Sequence, residues 1–273
     1  MLSDYIVHPS LATADIGKAR EWYAERLGLE PLLAFPSLLV YQVDSTIFTV
    51  FETSAAGTAK NTVAGWRVPD LRAEMTRLRG RGVVFEELDF GGDDRTIDGI
   101  MTSSDPFGSV ALNAWFRDGD DNWIGMIEQP DHPNEPPTGM GFLASLAASD
   151  LARARAWYSE KLGLEPLHVY GDQELAYRQG ATQLSIFTTP MAGTARNTVA
   201  VWRVGDLRAE VATLRSRGVV FGDYDLGDGK TVEGIYTDPD DGSMAAWFTD
   251  SEGNILGLAE DHGVAIPLPR PVS

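Results

Sequence analysis

The sequence predicts an α+β chain built from two tandem copies of one module. Three observations lead there. Residues 56–85 and 192–221 are identical at 23 of 30 positions, so the chain is a duplication that can be compared with itself. Each copy runs through the same order of short strand patterns and amphipathic helical patterns. Between the copies lies Gln129-Pro130-Asp131-His132-Pro133-Asn134-Glu135-Pro136-Pro137-Thr138-Gly139, a proline-rich polar linker. The expected organisation is a first module over 1–128, a linker over 129–140, a second module over 141–262 and a tail over 263–273.

Within each copy a first strand, 5–13 or 141–148, leads to Asp15 or Asp150, which is placed to cap a helix N-terminus. That helix carries Trp22-Tyr23 or Trp157-Tyr158, whose rings are expected in the core. It stops at Gly28 or Gly163, suited to a left-handed C-terminal cap. Two strands follow, at 38–43 and 46–52 in the first copy, and then a fourth at 61–68 or 197–204. Asp70 and Asp206 cap a second helix, with Leu71, Met75 and Leu78, or Leu207, Val211 and Leu214, along one face. Strands at 111–116 and 123–128 close the first copy. Each module therefore reads βαβββ followed by a second αβ part. A mixed sheet with helices on one face must place something on its other face.

Composition narrows the function. The 273 residues include no cysteine, which excludes disulfides, a thiol nucleophile and thiolate metal sites, and favours the cytoplasm. A net charge of −18 argues against nucleic acid and anionic membranes, and serves solubility. No apolar run approaches a membrane span, and the first residues, Met-Leu-Ser-Asp-Tyr, do not read as a signal peptide.

The element order, the Trp-Tyr-x3-Leu-Gly-Leu-Glu-Pro runs ending at Pro31 and Pro166, and the closing Asp250-Ser251-Glu252-Gly253-Asn254 resemble the vicinal oxygen chelate family. That family includes glyoxalase I, extradiol dioxygenases, and bleomycin- and fosfomycin-resistance proteins. The resemblance implies tandem glyoxalase-like modules of paired βαβββ units, whose curled mixed sheets enclose cavities. It also implies four strand positions at which metal-dependent members carry His or Glu. Carried over, these fall on His8 and Leu143, Thr49 and Ser185, Val63 and Val199, and Gly125 and Gly257. Only His8 is an ordinary metal ligand, and one imidazole builds no site. The other histidines, His132, His168 and His262, lie in the linker, near a strand start and beyond the last strand. No metal and no cofactor are expected.

Strand alternation then sorts side chains by face. The cavity-facing set of the first copy is His8, Ser10, Thr49, Phe51, Val63, Arg67, Trp123 and Ile127; that of the second is Leu143, Ser145, Ser185, Phe187, Val199, Arg203, Ile255 and Gly257. The glycines at 125 and 257 remove bulk, and the valines make the wall apolar, which suits flat or apolar organic ligands. His8 and Trp123 occur in the first copy alone, so its pocket is where function is expected. Trp123 is placed to stack on an aromatic ligand or to fill the sheet. His8 is placed as a hydrogen-bonding or acid/base group, or as a satisfied strand histidine. Arg67 and Arg203 are placed for an anionic group or a local salt bridge. Loops 93–100 and 228–235 either close over a pocket or simply join strands.

The function these residues favour is metal-independent binding of a small aromatic or apolar organic molecule. The alternatives are a lyase, isomerase or dioxygenase, metal-dependent or using His8 as acid or base, and a degenerate structural module. A monomer with fused modules or a homodimer would serve.

Overall fold

A computed structural model describes residues 2, 5–44, 46–91, 94–104, 110–128, 141–179, 182–225 and 229–260. The predicted linker and tail lie outside the described residues. The first copy contributes β1 (Val7–Thr13), α1 (Ile16–Trp22), β2 (Leu33–Phe35), β3 (Leu38–Val43), β4 (Thr46–Glu52), β5 (Thr62–Arg67), α2 (Leu71–Gly80), a small hairpin of β6 (Asp89–Gly91) and β7 (Asp94–Arg95), β8 (Met101–Ser104), β9 (Val110–Arg117) and β10 (Trp123–Glu128). The second contributes β11 (Gly141–Ala148), α3 (Leu151–Trp157), β12 (His168–Tyr170), β13 (Glu174–Gln179), β14 (Thr182–Thr188), β15 (Thr198–Arg203), α4 (Leu207–Ser216), β16 (Ile235–Thr237), β17 (Met244–Thr249) and β18 (Ile255–Glu260).

The caps are those the sequence predicts. Asp15, Asp70, Asp150 and Asp206 each accept a backbone N–H three residues on. Glu128 and Glu260 add a second acceptor at the starts of α2 and α4, on Leu71 N at 2.7 Å and Leu207 N at 2.5 Å. After α1 and α3 the chain continues for one π-helical turn, Tyr23–Leu27 and Tyr158–Leu162, before Gly28 and Gly163 stop it at φ of 74° and 71°. The extra residue per turn rotates Tyr23 and Tyr158 into the core, where both are buried.

The strands form two eight-stranded sheets, each curled into a half-barrel. The first runs β16-β17-β18-β15-β1-β4-β3-β2 and the second β12-β13-β14-β11-β5-β10-β9-β8. Neither sheet belongs to one copy. Each joins the leading half of one copy to the trailing half of the other, through the antiparallel pairs β1–β15 and β11–β5. Duplication gives β5 and β15 equivalent edges, so β1 has two possible partners in the sequence; the chain path selects the one in the other copy. The helix-side faces share one core, in which Tyr23, Tyr41, Phe48, Phe142 and Trp66 stack in series, Phe48 and Phe142 at 4.3 Å between ring centres. Trp66 and Trp202 are in that core, and Trp22 and Trp157 are packed against it. Among the described residues no helix is long and apolar enough to cross a membrane.

Candidate functional site

The half-exchange rearranges the predicted site. His8 and Ser10 on β1 and Thr49 and Phe51 on β4 share the first sheet with Arg203 on β15. Ser145 on β11 and Ser185 and Phe187 on β14 share the second with Arg67 on β5 and Trp123 on β10. The expected single pocket holding both His8 and Trp123 is therefore corrected: the two residues line different concave faces, because β1 pairs with β15 and not with β5.

Val63 and Val199 are a second correction. A β-bulge interrupts the pairing of β5 with β10 and of β15 with β18 at these residues. The extra residue turns both valines into the helix-side core, with 0 % and 1 % exposure. The side chains left on the concave faces there are Thr62 and Thr198, whose Cγ2 atoms lie 3.3 and 3.5 Å from where a Cβ on Gly125 and Gly257 would stand.

Those two glycines carry the third. They were expected to leave room. Instead the indole of the cross-strand neighbour lies over each: a Cβ on Gly125 would meet Trp115 Nε1 at 3.2 Å, and one on Gly257 would meet Trp247 Cδ1 at 3.5 Å. Each concave face thus has an indole where the family resemblance places a metal carboxylate. Trp115 carries Phe90 at 5.4 Å and Trp247 carries Tyr224 edge-on at 5.8 Å. Sequence reasoning missed Trp115 and Trp247. Their position opposite a glycine on the pairing strand was the available signal.

The register at the sheet junctions explains why the copies differ. His8 stands opposite Val201, and Leu143 opposite Gly65. A Cβ on Gly65 would lie 3.0 Å from Leu143 Cγ and Cδ1, so leucine here requires glycine there. The two faces then hold different polar groups. On the first, His8 is 5 % exposed, and burial with the nearby Arg203 guanidinium lowers its pKa to about 3. The ring is neutral at neutral pH, and no hydrogen bond joins it to another described side chain or backbone group. Ser10 and Thr49 satisfy each other at 3.1 Å. On the second face Glu174, which stands where the first has Leu38, accepts from Ser185 Oγ at 2.5 Å. Burial pushes its pKa up, against the Ser185 hydrogen bond and the charge of Arg67. Arg67 itself donates to Gln183 at 3.5 Å, and Trp123 has the Arg117 guanidinium 5.4 Å above its ring. Glu174 too was missed, because its strand begins one residue after a turn and carries no alternation upstream.

The signature residues of the closing turn are scaffold. Asp118 accepts from Tyr23 Oη at 2.8 Å, from both the backbone and amide nitrogens of Asn122, and Asn122 reaches Ala12 O at 2.7 Å. Asp250, Tyr158, Asn254 and Ala147 O repeat the knot. The described parts of loops 93–100 and 228–235, residues 94–100 and 229–235, are anchored by their threonines: Thr96 and Thr231 accept from Leu88 N at 2.7 Å and Tyr224 N at 2.8 Å. A cleft of about 370 Å³ opens beside Trp157, Gly222, Tyr224 and Thr249. At the equivalent place in the first copy, Arg117 and Glu86 form an ion pair at 2.8 Å.

Residues 139–257 match the glyoxalase/bleomycin resistance protein/dioxygenase superfamily model. The second module belongs to that superfamily. The first is its duplicate in sequence and repeats its elements, so the chain is a tandem pair of glyoxalase-like modules. Glyoxalase I from Zea mays superposes over 93% of this chain and 91% of its own at 15% identity with a TM-score of 0.62, and a variant of it does so at 14% and 0.63. A Bacillus subtilis protein provisionally assigned as a dioxygenase matches over 93% of this chain and 84% of its own, at 18% identity and a TM-score of 0.57. These likenesses show the shared fold. Comparison with curated proteins gives no match.

The residues do not fit the metal that the fold family uses. The strand positions converge on His8, Thr49, Thr198 and Gly257 in one sheet and on Leu143, Ser185, Thr62 and Gly125 in the other. Among the described residues no group of three or more His, Asp or Glu side chains is placed to hold a metal ion.

Proposed function

We propose that this tandem glyoxalase-like protein binds a small aromatic or apolar organic molecule on its concave sheet faces without a metal. The observation that carries the reading is the indole over Gly125 and over Gly257. At Gly125 even a Cβ would crowd the indole, and each half-buried indole offers a flat apolar surface for stacking, worth about 0.5–1.5 kcal/mol beyond its area. His8, Ser10, Thr49 and Arg203 orient a ligand on the first face; Ser145, Ser185, Arg67 and Trp123 do so on the second. Phe51 and Phe187 add apolar wall. The protein works in the cytoplasm as a monomer whose fused modules supply both halves of each sheet, or as a homodimer.

Calorimetry and thermal shift against a library of aromatic compounds test this. The reading requires hits whose affinity falls at least tenfold in Trp115→Ala or Trp247→Ala. Elemental analysis showing a stoichiometric metal would overturn it.

One observation favours an enzymatic reading. His8 is a neutral imidazole with no hydrogen bond to a described group, which suits it to receive a proton from a substrate. A pKa lowered this far makes it a weak base, so binding is the stronger reading. Turnover of a bound compound that His8→Ala abolishes would reverse that order.

A further inference from the structure

We propose that the second concave face is specific for an aromatic compound bearing an amine, with Glu174 receiving the ammonium and Trp115 the ring. The inference rests on the binding function proposed above and names the ligand class of one of its two faces.

Glu174 is a half-buried carboxylate whose one hydrogen-bond partner among the described residues is Ser185. An ionised carboxylate offers about four acceptor positions, and leaving them dry is costly. Arg67 attracts Glu174 across the sheet yet donates to Gln183, and forms no ion pair with Glu174 within 4 Å. It therefore favours the charged form of Glu174 without supplying its donors. Ser145, Ser185 and Phe187 lie on the same face, and all remain neutral.

The first face is built oppositely. It has Leu38 in place of Glu174 and Thr49 in place of Ser185, and its titratable groups are His8 and Arg203. A carboxylate retained on one face and an imidazole on the other, over the same Ser and Trp framework, separates the two faces by ligand charge. The whole-chain charge of −18 adds a field that draws cations and repels anions. An ammonium beside the carboxylate completes its hydrogen bonds, and the indole over Gly125 in the same sheet offers a surface to the ring. Charge-assisted pairs of this kind are stronger than neutral ones.

Three probes of one shape separate the outcomes: tryptamine, 3-ethylindole and indole-3-propionate, each titrated into the full chain at pH 7 by calorimetry and by saturation-transfer NMR. Tryptamine is expected to bind at least tenfold more tightly than 3-ethylindole, and indole-3-propionate more weakly than either at this face. Glu174→Gln, which keeps the side-chain shape and a partner for Ser185, is expected to remove the tryptamine preference and leave 3-ethylindole unchanged. Equal tryptamine affinity in Glu174→Gln overturns the role of Glu174 while the binding function stands on 3-ethylindole. If none of the three binds at millimolar concentration, both fall.

Discussion

The two concave faces share a frame and differ in what they hold. Both have a Trp over a Gly, an Arg at the end of the central strand and a pair of hydroxyl-bearing strands. One holds His8 opposite Val201; the other holds Leu143 opposite Gly65, with Glu174 at the rim. The difference teaches that the halves diverged as faces and not as copies. The residue that accommodates Leu143 of the second copy is Gly65 of the first. A change on one copy is compensated on the other, because the sheets cross between them.

The largest effect is expected where the faces are alike. Asp118→Ala or Asp250→Ala leaves a buried tyrosine hydroxyl and asparagine amide without their acceptor. Each is expected to cost about 3 kcal/mol in urea unfolding, and equally, if the two halves are equivalent scaffolds. A large inequality would break the comparison at its base.

Next in size is an acid effect confined to one face. The pKa of His8 is depressed in the fold, to about 3 against 6.5 unfolded. Its contribution is therefore intact above about pH 6.5 and is lost as pH falls toward 3, by a few kcal/mol in all. Asp118, pushed up to about 6 by burial despite its hydrogen bonds from Asn122 and Tyr23, acts in the opposite sense between about pH 6 and 4. Subtracting the stability of His8→Asn from that of the parent across pH 7 to 4 isolates the histidine. A flat difference would show that the imidazole is not held neutral.

The junction gives a sharper test. Gly65→Val copies Val201 onto the second sheet, where its Cβ meets Leu143 at 3.0 Å, and is expected to cost about 1–3 kcal/mol by overpacking. Adding Leu143→His recreates the pair of the first face and is expected to recover part of that loss. Additive losses in the double variant would show that the two sites are not coupled.

The smallest effect concerns the cleft of the second copy. Gly222→Glu with Thr249→Arg transplants the ion pair of the first. It is expected to change stability by under about 1 kcal/mol, because the pair is partly exposed, while quenching the accessibility of Trp157 to iodide. Unaltered quenching would show that such a pair does not cover the cleft.

Much of the fold was legible from local chemistry. Capping aspartates, Gly28 and Gly163, the strand alternation of 38–43 and 46–52 and the repeat itself each report on a few neighbouring residues, and the elements follow them closely. The short strands β2 and β12 were not legible, since three residues carry no period. Of the candidate site, the expectation for His8, Ser10, Thr49, Ser145 and Ser185 rests on alternation along an unbroken strand. It failed at Val63 and Val199, where a bulge adds one residue and reverses the faces. The sequence by itself determined two modules, their elements and the scarcity of metal ligands. Only the tertiary structure decided that β1 pairs across the duplication, that Trp115 and Trp247 cover the glycines, and that His8 and Trp123 lie on separate faces. The reason is physical: duplicated edges offer equivalent backbone hydrogen bonds locally, and packing over the whole chain chooses between them.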